Sequence, residues 1–154
     1  MNRQSPARIF RNDDGSSLIE VAMVLPVLIL LLLGIVDFGR AFYLSNEVAG
    51  AAHAGAIYGT QYPTDITGME TAAADNVPDV SNLATTASYG CECSDGTGQS
   101  ASCSAAPSCS SNLVYYAKVK ASASYTPWLP WPGIPSMTLS DTVEMRSGST
   151  STPY

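Results

Sequence analysis

Charge is scarce in this chain of 154 residues, which carries 7 basic and 13 acidic side chains and one histidine. Beyond Arg40 the basic residues are Lys118, Lys120 and Arg146, against Glu47, Asp65, Glu70, Asp75, Asp79, Glu92, Asp95, Asp141 and Glu144. That part of the chain lacks the basic footprint that nucleic acid or anionic lipid head groups require, so neither is an expected partner. A phosphate-cradling glycine loop is also missing. His53 stands in an Ala/Gly-rich stretch with no Ser, Cys or carboxylate in a catalytic arrangement around it, so no catalytic residue, and no enzyme, is expected. Cys91, Cys93, Cys103 and Cys109 lack the paired C-x-x-C knuckles of a zinc site, and neither a metal nor a cofactor is expected.

Charge is absent altogether from Val21 to Val36, VAMVLPVLILLLLGIV, and Leu18 and Ile19 extend the apolar run on the far side of Glu20. At about 1.5 Å per residue those sixteen positions cover roughly 24 Å, and Leu18, Ile19, Phe38, Phe42 and Tyr43 complete a hydrocarbon core of about 30 Å. A transmembrane helix is expected, tolerating Pro26 with a mild kink because membrane neighbours re-satisfy the freed carbonyl. Arg3, Arg8 and Arg11 precede the span and Arg40 alone follows it closely. The positive-inside rule then puts the N-terminus in the cytoplasm and the rest outside. Ordinary signal cleavage is disfavoured, since the small-residue sites Ala49-Gly50-Ala51 and Ala52-His53-Ala54 lie more than a dozen residues past the apolar run.

An extracytoplasmic location suits the cysteines, which fall in a Ser/Gly/Ala-rich stretch that cannot build a packed core unaided. Disulfide staples are expected. Four cysteines allow three pairings; Cys91 and Cys93 are too close for an easy mutual bridge, so each is expected to reach Cys103 or Cys109.

After Arg40 the helix is expected to continue to about Tyr58 or Gly59, since no proline intervenes before Pro63. Ala51, Gly55 and Gly59 recur every fourth position and give one smooth face for close packing against a helix or sheet. Asp37 and Arg40, three apart, are close enough to pair, and a solvated interfacial pair is the favoured expectation. Turn signals at Tyr62-Pro63-Thr64-Asp65 and Val77-Pro78-Asp79 flank a short helix over 68–76. Composition reads 89–112 as a cysteine-rich loop. From Leu113 to Tyr125 the sequence alternates as a half-buried strand does, and a second alternating run, Met137 to Arg146, returns antiparallel to it. Trp128 and Trp131 lie in the proline-rich connection, which either contacts a partner, lies at the membrane interface or caps the sheet. The tail Ser147 to Tyr154 is polar and expected to be mobile.

The expected class is α+β: a long N-terminal transmembrane helix running into a small extracytoplasmic domain with a two- or three-stranded antiparallel sheet and a disulfide-stapled loop. Its organisation would be a cytoplasmic leader, 1–15; a membrane-spanning and extended helix, 16–60; and a small domain, 61–154, with the loop at 89–112 and a hairpin at 113–146.

The junction Gly15-Ser16-Ser17-Leu18-Ile19-Glu20 resembles a prepilin cleavage site. The resemblance implies that a prepilin peptidase cuts after Gly15, that Ser16 begins the mature chain, where most pilins have Phe or another bulky apolar residue, and that Glu20 is its fifth residue. A carboxylate in an apolar helix is expensive unless paired, and the new ammonium of Ser16 in one subunit would pair with Glu20 of a neighbour and set the axial register. Four ordered elements, Glu20, Leu25-Pro26, Asp37-Phe38-Gly39-Arg40 and Ala51-Ala52-His53-Ala54-Gly55-Ala56, resemble the TadE-like family over 15–59. That resemblance implies a minor pilin or pseudopilin of a tight-adherence (Flp, type IV-like) pilus or related secretion machine. Its place would be the bacterial inner membrane, its partners other pilin subunits and pilus assembly proteins. Two other classes stay open: an uncleaved bitopic protein whose stapled ectodomain binds a partner or surface ligand, and a membrane-anchored redox or metal enzyme, which fully oxidised cysteines would exclude.

Overall fold

The computed structural model describes residues 14–128 and 135–147. Residues 1–13 of the expected leader, Trp131 in the proline-rich connection, and the tail from Gly148 lie outside the described residues. Helix α1 runs over Asp14–Gln61 and α2 over Ile66–Asn76; strands β1, β2 and β3 are Ala84–Cys93, Leu113–Tyr125 and Met137–Arg146. The α+β class is what is found, at the three-stranded end of the expected range.

Helix α1 is unbroken through Pro26. From Leu18 to Val36 each large apolar side chain is exposed, which a helix crossing lipid needs and a soluble helix does not tolerate. The helix is long and apolar enough to cross a membrane. Downstream its character changes: Val48, Ala51, Ala52 and Ala56 are buried, and so are Gly55 and Gly59. It stops two residues past Gly59, in a turn where the Tyr62 N–H donates to Tyr58 O at 3.0 Å and the Asp65 N–H to Tyr62 O at 3.1 Å.

Asp65 caps α2. Its Oδ1 accepts the Gly68 N–H at 2.9 Å, satisfying one of the helix's orphan donors. Its Oδ2 accepts the Tyr58 hydroxyl at 2.8 Å, which ties α1 to the start of α2. These donors, Gly68 first and Tyr58 second, hold the Asp65 carboxyl below the usual aspartate range. The cap explains why α2 begins at Ile66, two residues ahead of the expected start.

The sheet has the order β1-β2-β3 with both pairings antiparallel. Val119 on the central strand stands opposite Ala87 and Val143, and Tyr125 opposite Met137. Alternation along β2 buries Ala117, Val119, Ala121, Ala123 and Tyr125 and exposes Lys118, Lys120 and Ser124, as a period of two requires. On the outer face Lys118 Nζ lies 3.4 Å from Glu144 Oε2 across the strands. The core is a thin layer between this small-residue sheet face and the 48–59 face of α1, with Met69, Ala73 and Val77 of the α2 region closing its side.

Strand β1 corrects the reading of 89–112 as loop throughout. Tyr89 to Cys93 belong to the sheet, because the strand begins at Ala84 and its backbone pairs as far as Cys93↔Leu113. Cys91 also exchanges two backbone hydrogen bonds with Ser100, at 2.9 and 2.8 Å, so the following turn folds back on the strand.

Candidate functional site

The expected packing stripe lies against the protein's own C-terminal domain. A Cβ placed on Gly55 would sit 2.7 Å from the Met69 carbonyl oxygen, 3.0 Å from Val119 Cγ1 and 3.1 Å from Ala73 Cβ. One placed on Gly59 would overlap the Ala117 methyl and sit 2.7 Å from Met69 Sδ. Ala51 is fully buried. The absence of side-chain bulk lets α1, α2 and β2 meet this closely.

All four cysteines are paired, Cys91 with Cys103 and Cys93 with Cys109. Cα separations of 5.3 and 5.4 Å are ordinary for disulfides. The two bridges pin 94–112 onto the end of β1, and Gly96 and Gly98, both at positive φ, supply its turns. Beside this loop the buried Glu92 of β1 takes an ion pair from Arg146 of β3, fastening the two outer strands over β2. Among the described residues no group of His, Cys, Asp or Glu is placed to hold a metal ion. His53 is exposed, apart from any such group.

Asp37 and Arg40 depart from the expected solvated pair. Asp37 is only 7% exposed. The Tyr125 hydroxyl donates to Asp37 Oδ1 at 2.6 Å and to its backbone oxygen at 2.7 Å, and the Trp128 N–H donates to Oδ1 at 3.2 Å. The Arg40 guanidinium reaches the same Oδ1 at 3.4 Å and lies 4.0 Å from the Trp128 ring centre and 5.8 Å from that of Tyr125. Burial, and then the Asp37 carboxylate, push the Tyr125 hydroxyl above its usual range. The result is a clasp: the end of β2 and the start of the proline-rich connection are fastened to α1 where its apolar run ends. The sequence signalled the Asp37–Arg40 pair but not Tyr125 or Trp128, for nothing local links residues 88 and 91 positions apart. Trp128 does not cap the sheet, being 68% exposed.

Glu20 is exposed on α1 among apolar neighbours. Gly15 and Ser16 fall in the first turn of α1.

Among the described residues, one apolar helix that is a candidate membrane span bears a small disulfide-stapled α+β domain folded onto its extension, and this defines the class. In comparison with known families, the model of the TadE-like protein family matches residues 15–56, a little over a quarter of the chain. Over that segment the chain is similar to TadE-like proteins, a family that points to tight-adherence pilus assembly. No curated protein and no solved structure matches the chain.

Proposed function

We propose that the protein is a minor pilin or pseudopilin, inserted in the bacterial inner membrane with its N-terminus in the cytoplasm. It acts in assembly of a tight-adherence pilus or an allied secretion machine. The observation that carries this reading is the match over 15–56, in which Glu20, Leu25-Pro26, the Asp37–Arg40 element and the Ala51–Ala56 stretch follow in order along one helix. Prepilin peptidase cuts between Gly15 and Ser16, and the ammonium so created pairs with Glu20 of an adjacent subunit, where an unpaired carboxylate in lipid would cost several kcal/mol. Other pilin subunits and assembly proteins are the partners, and the role is structural rather than catalytic. The paired cysteines support this against a thiol or metal enzyme.

Intact mass of the unreduced protein from membranes of its native host tests the reading. The expected mass is that of a chain beginning at Ser16, less four hydrogens. A mass that retains the leader would overturn the cleavage and favour an uncleaved bitopic protein whose stapled ectodomain binds a partner. Glu20→Gln should leave insertion intact and lower incorporation into the assembly; unchanged incorporation would remove the register role.

A further inference from the structure

Two apolar hollows line one side of α1 and join. The upper is a cleft of about 500 Å³ between Gly34, Asp37, Phe38 and Ala41 of α1 and Tyr125, Pro127 and Met137 of the ectodomain, lined mainly by apolar atoms, with the Asp37 carboxylate taken up by Tyr125 and Trp128. The lower is a shallow groove along α1 from Val27 to Phe38. Both share Gly34 and Phe38, so a single apolar track descends from beneath the ectodomain along the candidate span.

Depth identifies what covers it. Counting about 1.5 Å per residue from Leu18, Gly34 lies roughly 24 Å and Ala41 roughly 35 Å up the helix, either side of the boundary of a hydrocarbon core of about 30 Å. From Val27 to Ala41 the track is about 21 Å long, longer than the roughly 15 Å depth of one leaflet. Its lower part is continuous with side chains that lipid must cover once α1 is inserted. A second helix is a poorer occupant: close helix pairs in lipid use small residues four apart, and the residues four either side of Gly34 are Leu30 and Phe38. Trp128, exposed beside the cleft-lining Pro127, has the amphipathic ring favoured at the interface. Head-group charge plays no part, in keeping with the acidic ectodomain.

We propose that this track holds an acyl chain of a phospholipid from the leaflet on the ectodomain's side, so that the ectodomain rests on the bilayer rather than standing clear of it. The proposal rests on the membrane-inserted reading of α1.

The test is native mass spectrometry of the full chain released from nanodiscs of zwitterionic phosphatidylcholine. The expected main species retains one phospholipid per chain. Gly34→Leu puts a side chain into the middle of the track at a position where an added Cβ meets nothing within 4 Å, and should lower that species at least tenfold. Leu33→Ala, at a residue outside the track, should leave it unchanged, and near-UV circular dichroism shows whether each variant is folded. A bare chain, equal retention by Gly34→Leu, or a lipid-free dimer, which would mean that a second copy covers the track, each overturns the proposal. A chain that fails to float with liposomes sinks the membrane reading itself; one that floats yet retains no lipid sinks only the cleft.

Discussion

Glycines on α1 should respond to Gly→Ala with opposite signs according to their place on the helix. In an open helix the change stabilises by about 1 kcal/mol, because alanine has the better helix propensity. Gly50 is such a position: an added Cβ would meet only Asn76 Oδ1, at 3.5 Å, an ordinary contact. Gly55 is not, because the new methyl would press on a backbone oxygen at 2.7 Å that no rotamer change can move. At Gly59 it would overlap Ala117 on the central strand. Overpacking of this kind costs about 1–3 kcal/mol, which offsets the propensity gain and leaves a net loss of up to about 2 kcal/mol. Since 1 kcal/mol shifts the melting of a domain of this size by roughly 4–8 °C, Gly50→Ala should melt several degrees above wild type. Gly55→Ala and Gly59→Ala should melt below it, by up to about 8–16 °C. The assay is thermal unfolding of the oxidised full chain in detergent, followed by near-UV circular dichroism. Melting of either buried-face variant at or above the wild-type temperature would refute the close packing of α1 on α2 and β2.

Four further outcomes are expected. Tyr125→Phe leaves the buried Asp37 acceptors short of a donor and should cost about 1–3 kcal/mol, with faster hydrogen exchange at the end of β2; unaltered exchange would mean the clasp contributes nothing. Removing the Cys93–Cys109 bridge, which spans 16 residues, should cost about 3 kcal/mol if loop-closure entropy dominates, and tandem mass spectrometry of the bridged peptides cut at Glu92, with backbone fragmentation between Cys103 and Cys109, should give Cys91–Cys103 and Cys93–Cys109, any other pairing refuting the arrangement. Because the folded Asp65 carboxyl titrates below its unfolded value, its contribution is present above about pH 4 and is lost as pH falls through the folded value; Asp65→Asn should flatten that acid limb in amide exchange of α2, and a limb of unchanged slope would exclude Asp65 as its source. Met69→Ala, at a fully buried side chain between α1 and the sheet, should lower stability by about 2–5 kcal/mol in the same melts, and a loss below 1 kcal/mol would show that α2 is loosely packed.

Local periodicity made much of this fold legible. Strands β2 and β3 announce themselves by alternation, and α1 by its charge-free run followed by alanine and glycine without proline. Strand β1 was harder to read: Gly90, Cys91 and Cys93 give 89–112 the composition of a loop, and the strand is held by pairing to β2 and by the turn at Ser100 rather than by its own propensity. The disulfide partners were narrowed by spacing to two arrangements, and the way the loop folds back on β1 selects one. Burial of Asp37 was beyond any local signal, since it depends on a tyrosine and a backbone amide that the sheet delivers from far along the chain.

The C-terminal domain is fastened to α1 at two levels, by the Tyr125–Asp37 clasp near the apolar run and by the Ser147 hydroxyl donating to Thr60 O at the far end, 3.0 Å away. Between them β2 lies along the helix in the opposite direction, Tyr125 beside Asp37 and Ala117 beside Gly59. Mechanically this is a splint. A pull along the helix axis meets these attachments in shear and loads them together, whereas a sideways pull on the C-terminal domain peels them one at a time. The upper half of α1 is thus stiff against axial tension and weak against lateral tearing.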